Sequence, residues 1–310
     1  MASQDTELVI EETKPIADMD PAEMAAKLRE MGDEETADEI TAAEGEKGLE
    51  GLFGQGPRKP YLYRTHQVGY FPLREPGSAA PIPIRAVGIV DPDPSLLNGR
   101  IDIHLDRLYI EEYPGSLFGA GEHHILVNFK ASNQVPEAAT AETVAFSQTY
   151  VAFDGDEAGV IGYPVFIGVN VGDAGASFEI ETVNVKNSED EAVLKMLDSD
   201  EFRGGLSLLN TAQPAIAPLT KLATGTTKLL ASRSKNVSVQ KYYIGLDTTL
   251  APAGAPLVAG NFIMVQVPGP AEINWSEYHF DPNTGTVIGT ANGGQPLHYN
   301  YLIFRVTPHN

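Results

Sequence analysis

From residue 61 onward, apolar and polar positions alternate in short runs broken by Gly, Pro, Asn and Asp. Alternation places successive side chains on opposite faces of an extended chain, so each run predicts a strand. Ten runs qualify: residues 82–90, 100–110, 123–131, 143–153, 163–171, 176–185, 237–246, 261–267, 272–280 and 297–306. Many short strands at this spacing predict a mostly-β body, an antiparallel β-sandwich, Greek-key or C2-like, with a Greek-key barrel as the alternative. Two stretches interrupt it with helical period. Ser188 and Glu191 form a capping-box pair ahead of Ala192, Leu194, Met196 and Leu197. Residues 214–235 bring Ile216, Leu219, Leu222, Ala223, Leu229 and Leu230 to one face. That predicts a helix closing one edge or end of the sandwich. Its Lys221, Lys228 and Arg233 lie mostly off this face, biased toward the C-terminal half as the helix dipole favours.

The first 60 residues follow another pattern, with no aromatic side chain before Phe53. Asp20 is placed to cap a helix that has Pro21 first and Glu23 third, with Gly32 as its stop. Met24, Leu28 and Met31 recur at i, i+4 and i+7, and Ile40 belongs to a second short helix after Asp33. Helices this short are marginal alone in water, so they are expected to fold against the body or a partner. Docking to a protein partner through Met24, Leu28, Met31 and Ile40 is the reading adopted. The Gly-rich stretch 45–60 reads as a linker. Residues 1–60 are thus expected to be an acidic docking tail with its linker, and 61–310 one β domain.

Charge sharpens that division. The 310 residues carry a net charge of −21, and residues 1–50 hold 16 acidic side chains against 4 basic ones. Such a balance argues against nucleic-acid binding, which needs a concentrated basic face. There is no cysteine, hence no disulfide framework and no thiolate chemistry. No run approaches the roughly 20 apolar residues of a membrane span. The first residues lack a basic region followed by an apolar one, so a cytoplasmic location is expected.

Chemistry is harder to find. His123 and His124 are adjacent, but strand geometry points neighbours to opposite faces, so they are poorly placed to share a metal. A better set is Asp102, His104 and Asp106, which alternate with Ile101, Ile103 and Leu105. If His124 lay opposite on a paired strand, these side chains would offer imidazole and carboxylate ligands to a divalent metal. Acidic loops offer Asp91, Asp93, Asp154, Asp156 and Glu157, and clustered at one end of a sandwich they would resemble the calcium-binding end of a C2 domain. No nucleophile-elbow, zincin or Walker motif occurs. The expectation is a non-enzymatic adaptor or assembly protein with no obligatory cofactor and possible homo-oligomerisation. The alternatives are a C2-like calcium- or lipid-responsive module, a self-assembling shell or phage structural protein, and a metal-dependent enzyme using the Asp-His-Asp strand.

Overall fold

The computed structural model of the chain describes residues 13–43, 59–115, 121–135, 138–197, 205–208, 213–249, 254–290 and 294–310. Two helices come first, α1 (Pro21–Met31) and α2 (Glu34–Ala43). Strands β1 (Thr65–Phe71), β2 (Ile82–Pro83), β3 (Arg85–Ala86), β4 (Arg100–Ile110), β5 (Glu122–Asn133) and β6 (Glu142–Phe153) follow. Next are β7 (Asp156–Glu157), β8 (Tyr163–Asn170), β9 (Ala176–Val185), helix α3 (Glu191–Leu197), β10 (Leu206–Ser207) and the long helix α4 (Gln213–Ser232). The chain ends with β11 (Val237–Asp247), β12 (Ala255–Pro256), β13 (Gly260–Val267), β14 (Tyr278–Asp281), β15 (Thr286–Gly289) and β16 (Tyr301–Pro308).

Among the described residues the architecture is mostly β, with three sheets. The largest runs β10-β8-β4-β16-β13-β1-β3 with β7 beside β4, the second runs β12-β11-β9-β5-β6, and the small third runs β15-β14-β2. Alternation sets what each face meets. Ile101, Ile103 and Leu105 of β4 share one core with Phe129 of β5 and Ile180 of β9. The Phe178 and Phe304 rings bridge the two large sheets at 5.9 Å. The opposite face of the largest sheet carries a second core around Ile263, Trp275 and Tyr301. Gly69 of β1 is required there, because a β-carbon would come within 2.9 Å of Ile84, Ile263 and Trp275.

Helices α3 and α4 pack Leu197 and Leu230 onto Leu126, Val183 and Val185, on the face of the second sheet turned away from the shared core. β6 is a twelve-residue terminal strand and needs protection as an exposed edge. α4 packs along it, and the Thr220 hydroxyl accepts the Ala145 backbone N–H at 3.2 Å. β3, β10 and β12, the other terminal strands of the two large sheets, have two residues each, too short to template another chain. No described helix is long and apolar enough to cross a membrane.

The N-terminal helices form as their sequence dictates. The Asp20 carboxylate accepts the Glu23 N–H at 2.8 Å, and Gly32 ends α1 in the left-handed region at φ +86°. Their position corrects an expectation. Met24, Leu28, Met31 and Ile40 are buried in the core shared by the two large sheets, not offered to a partner. The Ile16–Asp18 turn packs against β11, Arg64 Nε donates to the Ala17 carbonyl at 2.5 Å, and Lys27 Nζ donates to the Arg233 carbonyl at 3.1 Å. A narrow apolar stripe on two short helices gains stability only by burial, and this chain supplies the surface itself.

Two expected strands shrink. Across 82–90, Pro83 removes a ladder donor, so only β2 and β3 form before a 3-10 turn at Val87–Ile89. Across 272–280, the Asn274 side chain accepts the Ser276 N–H and caps a 3-10 turn at Trp275–Glu277, and pairing begins at Tyr278. The Gly-rich stretch 45–60 lies almost wholly outside the described residues.

Candidate functional site

The Asp-His-Asp strand is built as its alternation predicts, with Ile101, Ile103 and Leu105 inward and the three polar side chains on the other face of β4. Its carboxylates are already engaged. Asp106 meets Arg305 through both oxygens at 3.0–3.3 Å, while Asp102 accepts the Gly168 N–H at 2.8 Å and lies 2.8 Å from His309 Nδ1. His104 is held below the ordinary histidine value, chiefly by burial and next by Arg305. His124 belongs to the second sheet, where it lies between Val151 and Val185, so it does not oppose this strand. Among the described residues no group of three or more His, Cys, Asp and Glu is placed to hold a metal ion.

The acidic loops do not gather either. Asp93 is tied to Leu257 at the end where β4 begins, through the chain of hydrogen bonds from Asp93 N to Leu257 and from Leu257 N to Asp247. Asp156 and Glu157 pair with Ile110 and Tyr109 at the far end of the same strand. Eleven residues of β4 separate the two ends by about 33 Å. Asp91 and Asp93 therefore cannot share an ion with Asp154, Asp156 and Glu157, which corrects the C2-like clustering. Asp93 caps a turn through the Ser95 N–H, Asp154 accepts the Tyr113 N–H at 3.0 Å and meets buried His123 at 2.9 Å, and Glu157 pairs with Arg107.

Ionisable groups do converge where the N-terminal helices join the body. Tyr61 donates to Asp33 at 2.9 Å, Lys59 donates to Thr36, and Lys186 donates to the Gly115 carbonyl. Glu112 lies among them. Burial pushes its carboxyl up to about 7, with Lys59 opposing and Asp154, Asp33 and Glu111 adding to the rise. Its proton is thus bound more tightly in the folded chain than in the unfolded one, so its contribution to stability falls as pH climbs from 4.5 to about 7. Glu112→Gln is expected to stabilise the chain more at pH ~8 than at pH ~5. Urea unfolding at both pH values checks this, and an unchanged difference between them would remove Glu112 from the account.

An open recess lies between α4 and the second sheet. It has a volume of about 680 Å³ and is lined by Lys130, Glu179, Tyr243, Ser177, Thr220 and Thr224, among others. Register explains the floor. Lys130 pairs across to Glu179 and Glu179 to Tyr243, while the next row sets Asn128 beside Glu181 and Glu181 beside Lys241. All these side chains leave the sheet on the α4 side. Lys130 Nζ lies 2.8 Å from Glu179 and Lys241 Nζ lies 3.7 Å from it. Burial alone would lower the Lys241 ammonium, but the Tyr243 hydrogen bond and the charges of Glu179 and Glu181 outweigh it and hold it above the ordinary lysine value. Tyr243 itself is 64% exposed at the mouth.

No family model, curated protein or solved structure matches this chain.

The sequence motifs that looked most chemical are thus built into ion pairs and turns, and the groove comes from residues that carry no motif. Lys130, Glu179, Tyr243 and Thr220 belong to four separate elements. Lys241 and Tyr243 alternate along β11 on the same face, and of the two only Tyr243 lines this recess.

Proposed function

We propose that this chain is a non-enzymatic adaptor or assembly protein, its two large sheets forming a β-sandwich that presents the α4 groove to a protein partner. The observation that carries this reading is the groove itself: an open recess with an exposed aromatic ring, a row of hydroxyls and paired charges at its floor. Exposed tyrosines beside polar groups are the side chains from which recognition surfaces are built. The metal-enzyme reading has less support, because the Asp102 and Asp106 carboxylates already bind the chain's own donors.

A photo-crosslinking amino acid at Tyr243, in full-length protein in the source cell, tests the proposal. The expected result is a discrete protein adduct at 243 that is lost with Thr224→Arg, a groove-lining position, and absent when the probe sits at Ile89, an exposed position outside the groove. Equal adducts at both positions, or none at 243, would count against the groove as the working surface.

A further inference from the structure

We propose that a second recess, where the small third sheet meets the outer face of the largest sheet, binds a monocarboxylate carrying a compact apolar body. It shares no lining residue with the α4 groove, so the two sites stand or fall separately. Its volume of about 510 Å³ is within the ~300–1,000 Å³ typical of small-molecule sites. Strand register builds the floor. One row sets Phe71 of β1 beside Asn261 of β13 and Asn261 beside Arg305 of β16, and the next sets Ile303 beside Arg107 of β4. Between β4 and β16 the register shifts, with Arg107 opposite Ile303 and Leu105 opposite Phe304, so Asp106 is an extra residue. Such a bulge breaks the alternation and lets Asp106 and Arg107 reach the same face, where both line the recess. Arg74, a few residues after β1, is the third guanidinium of the lining.

Charge and apolarity together set the ligand class. Asp106 holds Arg305 through both carboxylate oxygens, and Glu157 lies 3.4 Å from Arg107. Arg74 makes no hydrogen bond or ion pair among the described residues, and neither Arg107 Nη2 nor Arg305 Nη1 makes one. Asp281, between the lining residues Phe280 and Pro282, turns its carboxylate to the Asn283 N–H of its own turn. Three guanidinium groups against the Asp106 and Glu157 carboxylates leave one positive charge, which a singly charged anion neutralises and a dianion overshoots. A guanidinium also presents paired N–H donors that match the two oxygens of a carboxylate. Much of the remaining lining is apolar. The Phe71 and Phe280 rings stack at 4.8 Å, and Ile161 and Leu73 leave 80% and 39% of their surface exposed. A small inorganic anion gains nothing from these surfaces, whereas an acid with an aryl or short alkyl body covers them while its head meets the arginines.

Isothermal titration calorimetry with the full chain tests this, with phenylacetate as the probe and phenylacetamide, acetate and phenyl phosphate as comparisons. Phenylacetate is expected to bind at one site, at least about tenfold more tightly than the neutral amide or acetate, and more tightly than phenyl phosphate. Its affinity should fall at least about fivefold in Arg74→Gln. Ile161→Ser should weaken it too, with no change of charge. Both side chains are exposed, so folding is expected to persist. Lys221→Gln, an exposed change on α4 outside the recess, should leave affinity near wild type. No saturable binding at millimolar phenylacetate, or an affinity unchanged in either recess variant, would overturn the site. Equal binding of the amide, or tighter binding of phenyl phosphate, would overturn the monoanion class. Acetate binding as tightly as phenylacetate would overturn the apolar half of the proposal.

Discussion

Leu28→Ala is expected to destabilise the whole chain by about 2–5 kcal/mol, the range for truncating a buried leucine that leaves a cavity. Leu28 is fully buried in the core that also contains Ile103, Phe262 and Phe304. The readout is favourable, because Trp275 is the only tryptophan and sits in the second core, across the largest sheet from α1. If residues 13–43 fold as one unit with the sheets, the urea midpoint followed by Trp275 fluorescence shifts with the mutation. If these helices were a separable tail, Trp275 would unfold at its original midpoint and only helical signal would be lost. The same logic applies to Met24 and Ile40, whose burial places an acidic N-terminal segment inside the cooperative structure.

The second large effect is acid sensitivity through His66. This side chain projects from β1 toward Tyr242, with ring centroids 4.3 Å apart, and its Nε2 is buried without a hydrogen-bond partner. Burial lowers its pKa from 6.5 to about 4. The folded chain therefore resists protonation that the unfolded chain accepts, so stability is fully present above pH 6.5 and is lost as pH falls toward 4. The loss amounts to roughly 3 kcal/mol from this group. His66→Phe keeps a ring against Tyr242 and should remove that part of the slope. Urea midpoints between pH ~7 and ~4 check it, and an identical slope in the variant would sink the assignment. Glu112 acts with the opposite sign over an overlapping interval, so the two single variants separate contributions that partly cancel in the native chain.

Much of this fold was legible along the chain, and for a local reason. Strand and helix periods are properties of neighbouring residues. Hence β4 and β9 have the limits their alternation implies, and α1 starts and stops at Asp20 and Gly32. The misreadings were local too. Prolines near residue 82 and the Asn274 cap competed with the ladder, and β1 was hidden by Gly69, whose packing against Trp275 depends on distant strands.

The sequence by itself determined a mostly-β body, two later helices, a capped helical pair ahead of them and a strongly acidic charge, because period, capping and composition need no knowledge of partners in space. Only the tertiary structure decided what those parts do to one another. It turned Met24, Leu28, Met31 and Ile40 from a docking face into core, and it sent the acidic loops to opposite ends of β4. It also paired Asp106 with Arg305, nearly 200 positions away, and set Lys130, Glu179 and Tyr243 in one row beside α4. Register between strands fixes which side chains meet, and pairing partners are chosen by burial across the whole chain rather than by adjacent residues.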